Sequence, residues 1–373
     1  GIPRDWFFVK KDWKVTVLKV MLLVYVVMAV LIASFNYALA PGADEATRKL
    51  VQGLWHFYEN GFKFGFMVVG SLLTLSILKK PAPGRSKIRY WNLLALNLSA
   101  LVMHIILPGI LGNPELYFFG MPLPWTTSGF QLLYHGEAFG ISYIDVYGPV
   151  GLTAAVVFFV CYNVFVFIGT LLLGRRFQCS MLCLFSGFIC EIFDAGSPVF
   201  GKKRTAESSR TTLFLAIVRQ LFLWIALFLA GAWIWLLLSS RGAGWASPLE
   251  IVETVKYLAF ELFAAMLFWV LFNPRTYCRY CPSGTVLGWM GKKVGQKIRT
   301  ELTHCISCGL CTRACPMHLD VARAAMQKKP LVSSRCVGCG HCVQACPTGN
   351  LAYSTTFLQW RERKKSAETL SSS

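Results

Sequence analysis

Charge is what this chain has least of. Only 15% of its residues are Asp, Glu, Lys or Arg, where a soluble globular chain averages about 25%. Acidic residues are scarcer still, 18 against 37 Lys and Arg, which leaves a net charge of +19. So little charge beside 55% hydrophobic residues excludes an ordinary soluble globule and points to a membrane protein with a polar appendage. The basic surplus invites a nucleic-acid partner, but no nucleic-acid-binding motif is present, and the placement of the charges accounts for them otherwise. No cleavable signal peptide is evident. The chain opens with Gly1 rather than Met, as it would if N-terminal sequence were missing.

Six apolar segments are long enough to cross a hydrocarbon core, which takes about 20 helical residues. They lie near 15–40, 60–79, 91–111, 149–173, 212–238 and 251–273. The connecting loops alternate in charge. Basic residues crowd the N-terminus (Arg4, Lys10, Lys11, Lys14), loop 79–90 (Lys79, Lys80, Arg85, Lys87, Arg89), loop 174–211 (Arg175, Arg176, Lys202, Lys203, Arg204, Arg210) and the tail from Pro274. Loop 41–59 balances Arg48 and Lys49 against Asp44 and Glu45, loop 239–250 has only Arg241, and loop 112–148 has no Lys or Arg at all. The positive-inside rule then places both termini in the cytoplasm, in a bacterial inner membrane. Most of the basic surplus is a topology signal plus attraction to anionic membrane lipid.

Ten of the 14 cysteines fall between Cys278 and Cys346. In a small secreted chain that density reads as a disulfide framework, but here the spacings are those of metal ligands, which need a reducing compartment. Cys305-x-x-Cys308-x-x-Cys311-x-x-x-Cys315-Pro316 recurs as Cys336-x-x-Cys339-x-x-Cys342-x-x-x-Cys346-Pro347. In two-cluster ferredoxins the fourth cysteine of each run ligates the other cluster. One 4Fe–4S cluster is therefore expected on Cys305, Cys308, Cys311 and Cys346, and a second on Cys336, Cys339, Cys342 and Cys315. Zinc sites usually show paired C-x-x-C units, not this eight-cysteine rhythm. His304, His318 and His341 lie beside ligands and read as surface or supporting residues rather than iron ligands.

A second constellation sits at two span ends. The fourth span runs into Arg175-Arg176-Phe177-Gln178-Cys179-Ser180-Met181-Leu182-Cys183, the sixth into Arg275-Thr276-Tyr277-Cys278-Arg279-Tyr280-Cys281-Pro282. Both begin with Arg and an aromatic residue before the first cysteine. Two hairpins ending alike suggest a parallel internal repeat about an axis normal to the membrane. Cys179, Cys183, Cys278 and Cys281 would then form a third cluster or metal site. The alternative is free or structural thiols, redox-active in pairs. Cys190 is a substitute ligand, and Cys161, inside the fourth span, reads as a packing residue.

These residues carry a family likeness. "GRRFQCSMLC" and "YCRYCPSG", with "CPMHLDV" and "CVGCGHCVQACPTG" in the two ferredoxin runs, resemble the polyferredoxin-type membrane proteins of the NapH and NosR kind, over roughly residues 90–350. The likeness implies electron transfer between a quinone pool, or a cytoplasmic donor, and a partner across the membrane such as a cytochrome or reductase subunit. The family pattern is C-x-x-x-C-P at both membrane pairs. Here Leu184 follows Cys183, and Cys278 to Cys281 is one residue shorter. No large flavin-binding domain precedes the spans, so a full NosR-type assignment is not expected.

The opposite half of the bilayer offers His56 and His104. Paired histidines can ligate a haem b or hydrogen-bond a quinone, the preferred reading, with Glu59, Lys63 and Glu261 as ionisable partners. Glu59 and Lys63, four apart, can equally pair on one helix face. Arg219 in the fifth span is expected to snorkel inward. The aromatic loop 112–148 reads as a belt on the outer leaflet or as a docking surface.

The expected architecture is an α-helical membrane protein with six transmembrane helices plus a C-terminal cytoplasmic two-cluster ferredoxin-like (α+β) domain. Residues 1–273 are the membrane domain, 274–296 a cysteine-pair segment and linker, 297–355 the ferredoxin domain and 356–373 a polar, partly disordered tail. The expected role is a redox subunit; a metalloenzyme maturation factor, or a scaffold or transporter with structural clusters, are the competing ones.

Overall fold

The computed structural model describes residues 12–36, 42–78, 87–138, 141–200, 209–239, 243–300 and 305–371. Arg4, Lys10, Lys11, Lys79, Lys80, Arg85, Lys202, Lys203, Arg204, Arg241 and His304 lie outside them. The first eight helices are α1 (Trp13–Ser34), α2 (Glu45–Ile77), α3 (Ile88–Leu111), the short α4 (Ser128–His135), α5 (Tyr143–Leu173), the short α6 (Ser186–Phe193), α7 (Ser209–Leu238) and α8 (Ala246–Leu271). The six long ones are long and apolar enough to cross a membrane. On α1, Leu18, Leu22, Tyr25, Ala29 and Ala33 are buried while Val20, Val24, Val27 and Leu31 face outward. An outward face as apolar as the inward one suits lipid, not water.

Helices start where caps allow. Asp12 accepts from Lys14 N (3.1 Å) at the start of α1, and Asp44 accepts from Thr47 N (3.3 Å) at the start of α2, each satisfying an orphan donor of a first turn. α2 begins well before the expected 60 because residues 45–57 form a polar, amphipathic first half that a hydropathy reading passes over. α5 begins at Tyr143 and kinks at Gly148 (φ 68°, ψ 179°) before Pro149, whose missing N–H breaks the ladder. Cys161 lies on the exposed face of α5, so it is not the packing residue expected.

π-helical turns interrupt the bundle at Tyr58–Phe62 in α2, Val102–Ile106 in α3 and Lys256–Phe263 in α8. They carry Glu59 and Asn60, His104, and Lys256 and Glu261. Such turns are rare and cluster at functional sites.

The connection between α3 and α5 departs most from expectation. It is neither a belt on the outer leaflet nor an exposed docking loop. Leu116, Phe118, Phe119 and Trp125 are buried, and the segment dips back among the helices, returning through α4 and a two-residue hairpin, β1 (Glu137–Ala138) with β2 (Ile141–Ser142). At its tip Leu123 N donates to Asn163 Oδ1 (2.8 Å). Asn163 is ten residues before Leu173, about 15 Å from the end of α5 at ~1.5 Å per residue. Irregular backbone at membrane depth requires internal hydrogen-bond partners. Side chains of the spans supply them: Lys256 Nζ donates to Trp125 O (2.9 Å), and Glu253 Oε1 accepts from Thr127 N (3.0 Å).

Past α8 come α9 (Pro282–Lys293), β3 (Lys297–Thr300), α10 (Leu310–Arg313), α11 (Val321–Met326), α12 (His341–Ala345), β4 (Leu351–Ser354) and α13 (Thr356–Ser371). β3 pairs antiparallel with β4, Ile298 opposite Tyr353. The segment expected as a linker is largely the helix α9, and the tail is helical from Thr356 to Ser371 rather than partly disordered. This C-terminal region closes the end of α5. Tyr353 Oη and Thr355 Oγ1 donate to the carbonyls of Leu173 (2.7 Å) and Leu172 (2.8 Å), acceptors that a helix end leaves unpaired. Gly174 (φ 67°) makes the join, and a Cβ there would collide with Gln296 Oε1 and Tyr353 Oη.

Candidate iron–sulfur sites

The sequence-expected ligands fall into three groups. Cys315, Cys336, Cys339 and Cys342 line one cavity of ≈ 340 Å³ with Ile298, Met317, Leu319, Val321 and Leu331. The first run thus delivers its fourth cysteine to the second run's three. Cys311 has Cys346 and Cys308 as charge neighbours, and Cys305 and Cys346 pack against the same buried core. The Cys305–Cys308–Cys311–Cys346 set is the more exposed one, with only Cys311 buried. The other set is the inner quartet, pressed against the membrane bundle.

Cys179, Cys183, Cys278 and Cys281 line a third cavity, ≈ 430 Å³, together with Met121, Pro122, Trp125, Tyr277 and Ser283. Cys179 lies in a further π-helical turn (Phe177–Leu182), and Cys281 caps α9, its sulfur accepting from Gly284 N (3.4 Å). The re-entrant segment roofs this cavity. Trp125 Nε1 donates to Tyr277 Oη, and Ser283 Oγ donates to Pro122 O (2.6 Å). Cys190 is not part of this set. It is fully buried, and its sulfur lies within 4.8 Å of ligand atoms of Asp194 and His341, beside the inner quartet. His341 is 5% exposed and faces Asp194 at 3.5 Å, the buried supporting position rather than the surface one of the two expected. His318 meets Asn273 Nδ2 at 3.1 Å.

Two buried arginines organise the membrane-end cavity. Arg175 Nε donates to Cys179 Sγ (3.2 Å) and Nη2 to Cys278 O (2.8 Å). Arg275 Nη1 donates to Cys179 O (2.6 Å) and Cys278 Sγ (3.5 Å), and its Nη2 pairs with Glu191 Oε1 at 3.0 Å. Bonds also cross to the ferredoxin region: Ser180 Oγ to Val337 O (2.8 Å), Asn92 Nδ2 to Cys339 O (3.2 Å) and Gln296 Nε2 to Cys336 O (2.7 Å). Cys179 and Cys278 belong to the same buried core as Cys311, Cys315, Cys339 and Cys342. The sequence shows the Arg before each pair but not that both are buried inside the protein rather than facing lipid headgroups.

The donor sets suit iron–sulfur groups. Burial, with neighbouring cysteines adding to it, pushes the Cys183 thiol up to about 11; burial pushes Cys336 and Cys311 up to about 11 and raises Cys281, Cys339 and Cys342 well above the ordinary thiol range. Four such thiols become thiolates together only beside metal charge. The residues fit: four sulfurs to a cavity, peptide and guanidinium N–H groups aimed at sulfur, and, in the inner quartet, Gly338 and Gly340 at φ 66° and 78°, which let the backbone wrap closely.

The histidines are held apart from this array. His56 Nε2 meets Glu115 Oε1 at 2.9 Å, and Glu115 Oε2 accepts from Tyr143 Oη (3.2 Å). His104 Nδ1 faces Asn60 Oδ1 at 3.4 Å, its Nε2 has no partner among the described residues, and its ring packs against Tyr117. Each imidazole is thus engaged on one ring nitrogen, His56 by a carboxylate and His104 by an amide oxygen. Glu59 pairs with Lys63 at 2.8 Å on one helix face, whereas Glu261 pairs with Lys256 at 3.0 Å. Arg219 lies within electrostatic range of Arg175 and Arg335, towards the ferredoxin end.

Two family profiles, each described as a 4Fe-4S dicluster domain, match the chain over residues 297–347 and 273–320. One curated relative is the protein named "Putative electron transport protein YccM" of Escherichia coli (strain K12), 30% identical over 164 residues. The alignment covers 41% of this chain and 44% of the relative, so the chain spans less than half the length of the curated protein it matches. No solved structure matches. The chain thus joins six helices long and apolar enough to cross a membrane to a C-terminal region that matches the 4Fe-4S dicluster ferredoxin type.

Proposed function

We propose that the chain is a membrane-bound electron-transfer subunit that carries electrons between the cytoplasmic side and a redox partner, or quinone, in or across the bilayer. One observation carries this reading: cysteines of all three quartets, from the exposed set through the inner quartet to the membrane-end cavity, share one buried core. Cys342 has both Cys315 and Cys311 among its charge neighbours, and Arg175 touches both the membrane-end cavity and the loop leading to Cys336. The printed description of the E. coli relative, an electron transport protein, agrees with it.

A 4Fe–4S cluster, when bound, supplies one-electron storage at a potential set by charge, hydrogen bonds to sulfur and burial. Cys305, Cys308, Cys311 and Cys346 would hold one, and Cys315, Cys336, Cys339 and Cys342 another. Cys179, Cys183, Cys278 and Cys281 would hold a third cluster or metal. The profile match over residues 273–320 encloses Cys278 and Cys281, which supports treating that pair as cluster-type. The protein's part is to keep water out: Met121, Pro122 and Trp125 cover the membrane-end sulfurs, and Phe185 and Leu287 complete the lining. Arg175, Arg275 and the Gly284 N–H stabilise anionic sulfur.

The positive-inside pattern supports a cytoplasmic ferredoxin region and both termini on that side, in a bacterial inner membrane. It needs anionic lipid and no nucleic acid. The cysteine-pair motifs support a subunit of the NapH/NosR kind acting beside a cytochrome or reductase. Towards the opposite face, His104 directs Nδ1 at the acceptor Asn60 Oδ1, which leaves Nε2, near the buried Lys63 and without a partner among the described residues, as an acceptor suited to a quinol hydroxyl. Iron analysis with EPR on the purified full chain tests the relay. Three clusters require about twelve irons and two about eight. Cys179→Ser with Cys278→Ser is expected to remove about four of twelve. Iron that never cycles between oxidation states under graded reductant would sink the relay.

A further inference from the structure

One side chain links the membrane-end cavity to the loop that leads into the inner quartet. Arg175 is 3% exposed. Its Nε and Nη2 reach Cys179 Sγ and Cys278 O in the membrane-end cavity. Its Nη1 donates to the carbonyls of Ser334 (3.1 Å) and Arg335 (3.4 Å), the two residues leading into Cys336 of the inner quartet. Its own backbone N–H donates to Gln296 Oε1 (2.7 Å), whose amide nitrogen holds Cys336 O. Every acceptor around its guanidinium is a neutral carbonyl or a sulfur. Among the described residues no carboxylate pairs with Arg175, whereas its counterpart Arg275 has Glu191 at 3.0 Å.

A buried cation without a counter-charge is strongly disfavoured. Among the described residues, the groups in reach that can supply the missing negative charge are the thiols of Cys179, Cys278 and Cys281. We propose that Arg175 is a positioning and charge-compensating residue: it sets the electron affinity of the iron–sulfur group held by Cys179, Cys183, Cys278 and Cys281, and ties that group to the inner ferredoxin quartet. This rests on the reading that those four cysteines hold such a group.

The step it influences is a single electron passing from one iron–sulfur site to its neighbour. The donor is oxidised by one electron and the acceptor reduced by one; no bond forms or breaks and no proton moves. The electron adds one negative charge to a site whose nearest uncompensated positive charge is Arg175, in surroundings where charges interact far more strongly than in water. Arg175 therefore favours the reduced state. Arg275 contributes less, because Glu191 cancels its charge. The planar fork of Arg175 also fixes the spacing between cavity and loop, which a lysine cannot reproduce.

The test is iron analysis and an EPR-monitored redox titration of the full-length protein in detergent, comparing wild type, Arg175→Gln and Arg175→Lys. With the wild-type iron content retained at about twelve per chain, Arg175→Gln is expected to make the membrane-end centre at least tenfold harder to reduce, about 59 mV for one electron. Arg175→Lys is expected to fall nearer wild type. An unchanged midpoint in Arg175→Gln at equal iron overturns the role of Arg175. If Arg175→Gln loses the membrane-end iron, Arg175→Lys decides: retained iron with a near-wild-type midpoint supports a requirement for the charge, and loss in both variants overturns it. About eight irons in the wild type, with no third signal, overturns the underlying site and the proposal with it.

Discussion

Arg175 and Arg275 brace the two cysteine pairs reciprocally: each donates to the sulfur of the first cysteine in its own pair and to the carbonyl of the first cysteine in the other. The two halves differ in one respect. Arg275, fully buried, shares its charge with the fully buried Glu191, and Arg175 does not. Arg275→Gln therefore leaves a buried carboxylate whose remaining cation, Arg89 Nε, is 3.9 Å away. Breaking a buried pair from one side costs about 3–5 kcal/mol. The expected result is early loss of folded protein on heating in detergent, with most of the loss restored in Arg275→Met combined with Glu191→Gln. A double variant no more stable than the single one would contradict this account.

Cys315 stands in one cavity with Cys336, Cys339 and Cys342, although it is 21 residues before the first of them in the chain. Substituting it should therefore empty the inner site while leaving the first run's three close cysteines with Cys346. The expected outcome for Cys315→Ser is loss of about four irons and of one EPR signal. Cys346→Ser should lose the other signal and keep the one that Cys315→Ser abolishes. If both variants lost the same signal, the crossing of ligands between runs would be wrong.

The sequence carried the coarse plan because both of its strongest codes are local: apolar runs for the spans and C-x-x-C-x-x-C-x-x-x-C-P for the ferredoxin region. The meeting of Cys179, Cys183, Cys278 and Cys281 in one cavity was legible from two span ends written alike. The path of residues 112–142 was not. Its tip reaches Asn163, Lys256 and Glu253, polar side chains that in the sequence look like isolated residues of the spans; they serve a backbone more than thirty residues away. The tail helix from Thr356 was missed because its composition is that of a disordered segment. Arg175 was counted as a topology charge, since nothing local distinguishes a guanidinium facing lipid headgroups from one folded onto cysteine sulfur.

Gly288 of α9 sets how closely the ferredoxin region seats on the bundle. A Cβ there would collide with the Ser334 carbonyl oxygen, the same atom that accepts from Arg175 Nη1. Backbone has little room to give, so Gly288→Ala must push the Ser334–Cys336 loop away. Overpacking of this kind costs about 1–3 kcal/mol. Faster hydrogen exchange over residues 330–347, with the membrane helices unchanged, is the expected signature; an unaltered exchange pattern would mean the contact yields without consequence.

Trp125 is the side chain by which the re-entrant segment closes the membrane-end cavity. It is 7% exposed, lines the cavity with all four sulfurs, and donates to Tyr277 Oη, while its carbonyl is held by Lys256. Trp125→Ala removes the ring from the lining of the cavity that holds the four cysteines; a buried Trp→Ala change costs about 3–5 kcal/mol. Trp125→Phe keeps most of the cover and loses only the N–H to Tyr277, about 1 kcal/mol. The two effects separate in a chelator experiment. In Trp125→Ala, iron from the membrane-end site should be stripped faster than in the wild type, while the rate from the inner quartet stays unchanged. In Trp125→Phe the wild-type rate should persist, because exclusion of water depends on the ring and not on its hydrogen bond. Equal stripping rates in Trp125→Ala and wild type would show that the segment crosses the bundle for a reason other than covering these cysteines.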